Sequence, residues 1–230
     1  MNTETTVSVV IPVLHDLESL ARLLDDFRSA NVQPHEMLVI DAGNDDNCAV
    51  LAFQHDCVYL RTRPGRGHQL HTGANCATGE VIWFLHADSH PPVSGIASIR
   101  REIAAGAIGG YFRFRFMGKV TWYKQLLASF INIRARFGVP YGDQGLFIRN
   151  SNYMAMGGFR DAPLFEEVSL VKAARGLGNF VEIATPIGVS PRRWEQDGWF
   201  RRTLENRLLA LGYMLGISPQ TLSRRYRPKC

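Results

Sequence analysis

The chain has 230 residues, 46% of them hydrophobic, and a formal charge of +5. That length fits one sizeable domain, and no run reaches the ~18 uncharged apolar residues that a membrane-crossing helix needs. Cys48, Cys57, Cys76 and Cys230 are scattered without a C-x-x-C pair, which argues against a disulfide framework or a structural zinc site.

The N-terminus, Met1 to Thr6, is polar and has no signal-peptide apolar stretch, so a cytoplasmic protein is expected. Val7-Ser8-Val9-Val10-Ile11-Pro12 then reads as a buried strand stopped by its proline. Leu17, Leu20, Leu24 and Phe27 recur at helical spacing over 17–30. Residues 36–41 form a second apolar run closing on Asp41, and Ala42-Gly43-Asn44-Asp45-Asp46 has turn chemistry. A short helix over 46–54, a strand over 57–61 and a helix over 66–77 follow, the last opened by Pro64-Gly65-Arg66-Gly67. Val81-Ile82-Trp83-Phe84-Leu85 gives way at once to His86-Ala87-Asp88, as a buried parallel strand does at the lip of a sheet.

Strands alternating with helices over the first 85 or so residues predict βαβ units and a parallel sheet. Ligands bind such sheets beyond the carboxyl ends of the strands. Asp88 there either holds a metal–phosphate or caps the turn into Ser89, His90, Pro91 and Pro92. Two strands ending in Asp41 and Asp88, beside a Gly–Arg turn, favour a nucleotide-phosphate site.

Beyond Asp88 the pattern predicts a helix over 93–105, a strand over 108–116 and a helix over 119–137. The last has a broad apolar face of Trp122, Tyr123, Leu126, Leu127, Phe130 and Ile133. Gly142-Asp143-Gln144-Gly145 is a loop before a short strand over 146–149, and a helix over 151–156 ends at Gly157-Gly158-Phe159. A helix over 166–175 carries Glu166 and Glu167 in its first turn, and a final helix over 199–217 has Phe200, Leu204, Leu208, Leu211 and Leu215 as its stripe. Residues 190–230 hold nine Arg/Lys against three acids, a net +6, while the rest of the chain sums to −1. A basic end suits nucleic acid, an anionic membrane surface or a phosphorylated substrate, and equally a plain solvated face. Core packing is the expected role of the two helical apolar faces. The alternative is a peripheral seat on anionic lipid at the inner face of the membrane, suggested by Trp122, Tyr123, Trp199 and Phe200 near Arg and Lys.

Ser8-Val9-Val10-Ile11-Pro12, Val39-Ile40-Asp41-Ala42-Gly43, Phe84-Leu85-His86-Ala87-Asp88, Gly157-Gly158-Phe159 and Glu166-Glu167 occur in an order that resembles family-2 glycosyltransferases with the GT-A fold. Gly65-Arg66-Gly67-His68-Gln69, Tyr141-Gly142-Asp143-Gln144 and Arg192-Arg193-Trp194-Glu195 narrow the likeness to a small bacterial subgroup associated with arsenosugar biosynthesis and radical-SAM/selenodomain proteins. The resemblance covers about residues 7–226.

It implies an α/β chain with a Rossmann-like, mostly parallel central sheet flanked by helices and ending in a C-terminal amphipathic helix. Residues 1–230 would form one domain, about 7–118 as the nucleotide-sugar half and about 119–230 as the acceptor half. The implied reaction moves a sugar from a nucleotide-diphosphate donor to an acceptor hydroxyl, inverting the anomeric centre. The acceptor is unidentified, and nucleic acid is not an expected partner. Asp88 matches the family's last DXD aspartate and would hold Mg²⁺ or Mn²⁺. Asp41 would read the base, with Pro12 lining its pocket, and Arg66 would reach the diphosphate. The general base falls in the acidic pair, with Glu167 first and Glu166 second. Asp143 would bind the acceptor or serve only as a turn former. Arg193 would hold the leaving diphosphate, and Trp194 would stack on a sugar or pack under the final helix.

Four features depart from the family pattern: His15, the segment Asn44-Asp45-Asp46-Asn47, His86 in place of the first DXD acid, and Glu167 in place of an Asp. A binding protein that has lost its chemistry is one alternative. A sugar-phosphate nucleotidyltransferase is another, disfavoured because Pro12-Val13-Leu14-His15 lacks the glycine-rich exit of the first strand.

Overall fold

A computed structural model of the protein describes residues 4–43 and 46–225. Asn44 and Asp45 of the acidic turn, and Arg227, Lys229 and Cys230 at the basic end, lie outside the described residues. Eight strands form one sheet: β1 (Val7–Val13), β2 (Glu36–Asp41), β3 (Val58–Arg61), β4 (Val81–Phe84), β5 (Ser89–His90), β6 (Gly109–Phe116), β7 (Phe147–Arg149) and β8 (Phe180–Val189), in the order β3-β2-β1-β4-β7-β6-β8-β5. β3, β2, β1 and β4 are mutually parallel, as are β6 and β8, while β7 and β5 run antiparallel to their neighbours.

Alternation along β1 sets the layers. Val7, Val9, Ile11 and Val13 pack with Leu20, Leu24 and Phe27 of α1 (Leu17–Arg28) and Ile99 and Ile103 of α4 (Gly95–Ala104). Val10 points to the other face, with Leu70 and Ala74 of α3 (Arg66–Cys76), Tyr153 of α6 (Asn150–Ala155) and Leu170 of α7 (Glu166–Leu177). A helix α2 (Asp46–Gln54) joins β2 to β3. Helices thus cover both faces, as the sequence pattern predicts.

The proline of β1 does not stop the strand, which runs on to Val13. Val7 and Val13 offer their carbonyls toward β2, and Val10 offers its carbonyl to Leu85. By that alternation the nitrogen of Pro12 faces the β4 side, where pairing has already ended at Val10 and Phe84. No ladder donor is lost there, so proline is tolerated in an interior strand. The carboxyl ends of β1 and β2 are tied together by Gln69, 3% exposed. Its Nε2 donates to Val13 O at 2.9 Å and to Ile40 O at 2.8 Å. Gln69→Leu removes both bonds, while Val13 O keeps the Ala42 N–H, and is expected to cost about 1–2 kcal/mol, read as a lower urea midpoint with an unchanged denaturant slope.

Two elements escape the periodicity. β8 is ten residues long, yet Pro186 interrupts its sequence, and the structure places Pro186 opposite Arg113 at a break in register with β6. The Arg192–Asp197 segment is a short helix, α8. Beyond it lie α9 (Trp199–Met214) and α10 (Pro219–Arg225).

The expected core packing of the two long apolar stripes is overturned. On α5 (Trp122–Phe137) the side chains of Trp122, Leu126, Phe130 and Ile133 are exposed, and on α9 so are Phe200, Leu204, Leu208 and Leu211. What these helices bury is a second row. Phe114 and Phe116 of β6 gather Leu127, Ile131, Trp194 and Trp199 into a separate aromatic cluster. Among the described residues no helix is long and apolar enough to cross a membrane.

Candidate functional site

Beyond the carboxyl ends of β1, β2 and β4, seven segments bring charged side chains together. Asp88 comes from the turn after β4. That turn is closed by the Ser89 N–H donating to the His86 carbonyl at 3.0 Å. The backbone therefore closes the turn, and the Asp88 carboxylate is not needed to do so. Ala87 and Ser89 on either side are buried, while Asp88 keeps partial exposure.

Asp143 stands in a 3-10 turn, Gly142–Gln144, that is held rigidly. Gln144 is wholly buried and donates to Phe112 O, and Trp83 Nε1 donates to Gly145 O at 3.2 Å. Gly145 is left-handed at φ 58°, and Gly142 lies so close that a Cβ on it would come within 2.9 Å of His86 Nε2. Asp143 Oδ1 is shut from solvent without a hydrogen-bond partner, and burial raises its carboxyl pKa, opposed by Arg134, Arg66 and Arg193 and reinforced by Asp88. His86 is held neutral: burial first, then the Arg66 charge, lower its pKa to about 3.

Glu166 and Glu167 open α7, directly after Phe165 in a left-handed conformation at φ 59°. They are 2% and 6% exposed, too buried for acids that merely favour a helix N-terminus. Arg66 Nε donates to Glu166 Oε1 at 2.5 Å, while Glu166 Oε2 is buried without a partner. Burial and the neighbouring Glu166 charge push the Glu167 carboxyl up to about 8, with Arg66 opposing. The two carboxyls thus differ by their surroundings: one is ion-paired and the other holds its proton to a higher pH.

Arg66 begins α3, so the Gly65-Arg66-Gly67 turn places it against α7. A Cβ on Gly67 would stand 2.2 Å from the Arg160 carbonyl and 3.1 Å from Glu166 Cβ. The second glycine is there for close backbone approach.

Asp41 ends β2 and is 2% exposed. Its Oδ1 accepts from Gly43 N–H at 2.7 Å and its Oδ2 from the Tyr59 hydroxyl at 2.8 Å. Each oxygen retains a second lone pair for a further donor. Pro12 lies in the adjacent register, opposite Ile40. Asp41 and Pro12 therefore sit at the β1/β2 edge and the acidic cluster at β4, with α3 spanning both.

Arg193 belongs to α8, which is fastened over the site by Arg192 donating to Asp16 Oδ2 at 3.1 Å. Its charge acts on both His86 and Asp143. Trp194 turns the other way, edge-on to Phe116 at 5.0 Å and stacked on Trp199. The packing role is the one its ring fulfils here.

Two side chains of the site were not singled out in the sequence. Arg134 of α5 lies 3.7 Å over the Tyr141 ring and opposes the charge of Asp143. Tyr59 holds Asp41. A β3 hydroxyl two residues before the register partner of Asp41, Arg61, is a usable signal for the second; nothing local marks the first. Among the described residues no three His, Cys, Asp or Glu side chains converge as a ready-made metal cage. A lone carboxylate such as Asp88 suits a hard cation whose remaining ligands are phosphates and water.

The family model described as Glycosyl transferase family 2 matches residues 8–162. Among curated proteins, an undecaprenyl-phosphate 4-deoxy-4-formamido-L-arabinose transferase of Serratia proteamaculans is 28% identical over 158 residues, 62% of this chain and 48% of that protein. An uncharacterized glycosyltransferase of Mycobacterium tuberculosis is 30% identical over 102 residues, 44% of this chain and 45% of that protein. The chain spans about half the length of the curated relatives it matches. Among solved structures, a Pyrobaculum calidifontis mannosyltransferase in complex with GDP-Man and Mn²⁺ aligns with a TM-score of 0.62 at 16% identity, covering 81% of this chain and 57% of that one. Glucosyl-3-phosphoglycerate synthase of Mycobacterium tuberculosis, in complex with Mn²⁺, UDP and glucosyl-3-phosphoglycerate, aligns at 0.57 and 17% identity, covering 80% and 71%. At such identities the structural likeness speaks for the fold alone.

Proposed function

The chain belongs to glycosyl transferase family 2, and on that ground we propose that it transfers a sugar from a nucleotide-diphosphate donor to an acceptor hydroxyl. The observation that carries the reading is the convergence of Asp88, Asp143, Glu167 and the Arg66–Glu166 pair, from distant segments, at the strand ends where α/β sheets bind ligands. The motifs around Arg66, Asp143 and Arg193 support the subgroup associated with arsenosugar biosynthesis and radical-SAM/selenodomain proteins.

In this reading residues up to about 118 hold the donor and the remainder the acceptor. Asp41 and Pro12 take the nucleoside. Asp88 would hold a divalent ion, Mg²⁺ or Mn²⁺, beside the diphosphate. When bound, that ion supplies Lewis-acid neutralisation of the charge growing on the diphosphate. Arg66 and Arg193 add charge-assisted donors to the same leaving group. Glu167, with its raised pKa, accepts the acceptor's proton as the new carbon–oxygen bond forms and the bond to the diphosphate breaks. Displacement in one step on the opposite face inverts the anomeric centre. Glu166 keeps Arg66 in place, and Asp143 with Arg134 orients the acceptor. The Serratia relative, a sugar transferase, supports sugar transfer as the reaction.

A thermal-shift screen of nucleotide sugars with and without Mn²⁺ tests the reading. Binding to the folded state raises the melting temperature by mass action, by about 2.7 kcal/mol of stability at a hundredfold excess over Kd. A shift confined to one nucleotide, larger with Mn²⁺, is expected. No shift with any nucleotide plus metal would remove the donor-site assignment.

A further inference from the structure

We infer that the joint face of α5 and α9 is a docking surface for an anionic lipid bilayer. On α5 the exposed apolar positions are Trp122, Leu126, Phe130, Ile133 and Phe137. Along α9 and its C-cap the stripe is Phe200, Leu204, Leu208, Leu211 and Leu215, with Met214 exposed beside it. The spacing is the same in both, i, i+4, i+8, i+11 and i+15, which is one continuous stripe on each helix. These side chains are 45–82% exposed. Isolated exposed apolar residues need no explanation, but two aligned stripes do.

The stripes are adjacent. The Arg207 guanidinium of α9 lies 5.8 Å over the Phe130 ring of α5, and Tyr123 meets Trp199 at 5.1 Å. Two 16-residue helices side by side therefore present one apolar surface. Neither is fit to cross a bilayer, and both suit lying in its interface.

Charge selects the occupant. On and beside the two helices Lys119, Arg136, Arg201, Arg207 and Arg224 are exposed, against Glu205 alone. Lys124 and Arg202 are buried in ion pairs with Glu195 and Asp197 and add nothing to this face. A second copy packed on this face would bring like charge against like charge. Anionic headgroups complement it, each basic residue near the surface adding to the attraction while its methylene stem covers apolar area. The same helices border the acidic cluster: Phe165, just before Glu166, stacks on Tyr213 of α9 at 4.6 Å, and Arg134 of α5 faces Asp143. The inference does not depend on the transferase reading.

Flotation of the 230-residue chain with phosphatidylcholine vesicles, with and without phosphatidylglycerol, tests it. The chain is expected to float with the anionic vesicles, and Phe130→Glu/Leu208→Glu to lower the bound fraction about tenfold or more. Both positions are about half exposed, so the melting temperature should not move. Brominated lipid should quench tryptophan emission, less so in Trp122→Phe. Failure of the parent chain to float, or unchanged binding by the double variant, would overturn the inference. So would a dimer in light scattering that the same double variant dissolves, since the occupant would then be a second copy.

Discussion

Glu167→Gln is expected to lower turnover roughly 10²–10⁴-fold, the span that a positioned general base contributes, while making the fold more stable. The amide keeps the shape and cannot take a proton from the acceptor. The stability gain follows from linkage. In the unfolded chain Glu167 loses its proton near the ordinary 4.5, whereas in the folded state burial and Glu166 hold the proton to about 8. Between those values the folded state binds more protons than the unfolded one, so stability falls as pH rises and the loss is complete above about 8. Glutamine carries no such loss, which is on the order of a few kcal/mol. Melting curves across that window should diverge, with the variant flatter. The kcat/KM of the parent should climb through the same window as the base ionises. A variant with parental turnover, together with a silent Glu166→Gln, would take the base out of this pair.

Arg66→Met is expected to destabilise the chain by about 2 kcal/mol, because Arg66 is itself 36% exposed but its loss leaves the buried Glu166 charge without its ion-pair partner. Glu166 is 2% exposed, its Oε2 has no partner, and Arg66 Nε is the donor to its Oε1. Removing the acid as well, in Arg66→Met/Glu166→Gln, should restore most of the loss, since the pair is one unit. Transfer should stay impaired in both variants, because the arginine also faces the leaving group in the proposed reaction. Chemical denaturation of the three chains separates the stability effect from the catalytic one. An Arg66→Met chain as stable as the parent would show that the pair is not structural.

Much of the frame can be read from the residues themselves. Val7 to Val13 and Val81 to Phe84 are buried on both faces, so their apolar runs are continuous and unmistakable. Asp41 and Asp88 could be placed at strand ends for the same reason. β8 could not, because Pro186 contradicts a ladder unless the register break beside it is known. The apolar stripes of α5 and α9 were legible as stripes, but period alone does not say which way a stripe faces. What decides it is the row beneath, where Leu127, Ile131 and Trp199 close on Phe114 and Phe116.

The cluster was legible in its carboxylates and less so in its cations. Glu166 and Glu167 look like helix-start acids in sequence, and only burial separates the two roles. Arg66 is legible as a phosphate ligand, whereas its ion pair with Glu166, a hundred residues away, is not. Asp143 gained weight from the anchoring of its turn by Gln144 and Trp83, contacts made across the sheet from β6 and β4. Arg134 carried no local mark at all. Such residues come together through topology, and spacing along the chain holds no record of it.

Asp88 carries the central claim, that a metal–diphosphate sits at the end of β4. Isothermal titration of the cognate nucleoside diphosphate, in Mn²⁺ and in EDTA, against the parent chain and Asp88→Asn tests it most directly. Tight binding by the parent only with Mn²⁺, weakened about tenfold or more in Asp88→Asn and no longer responsive to Mn²⁺, is the predicted result. Equal affinity in both chains, or in Mn²⁺ and EDTA alike, would contradict it.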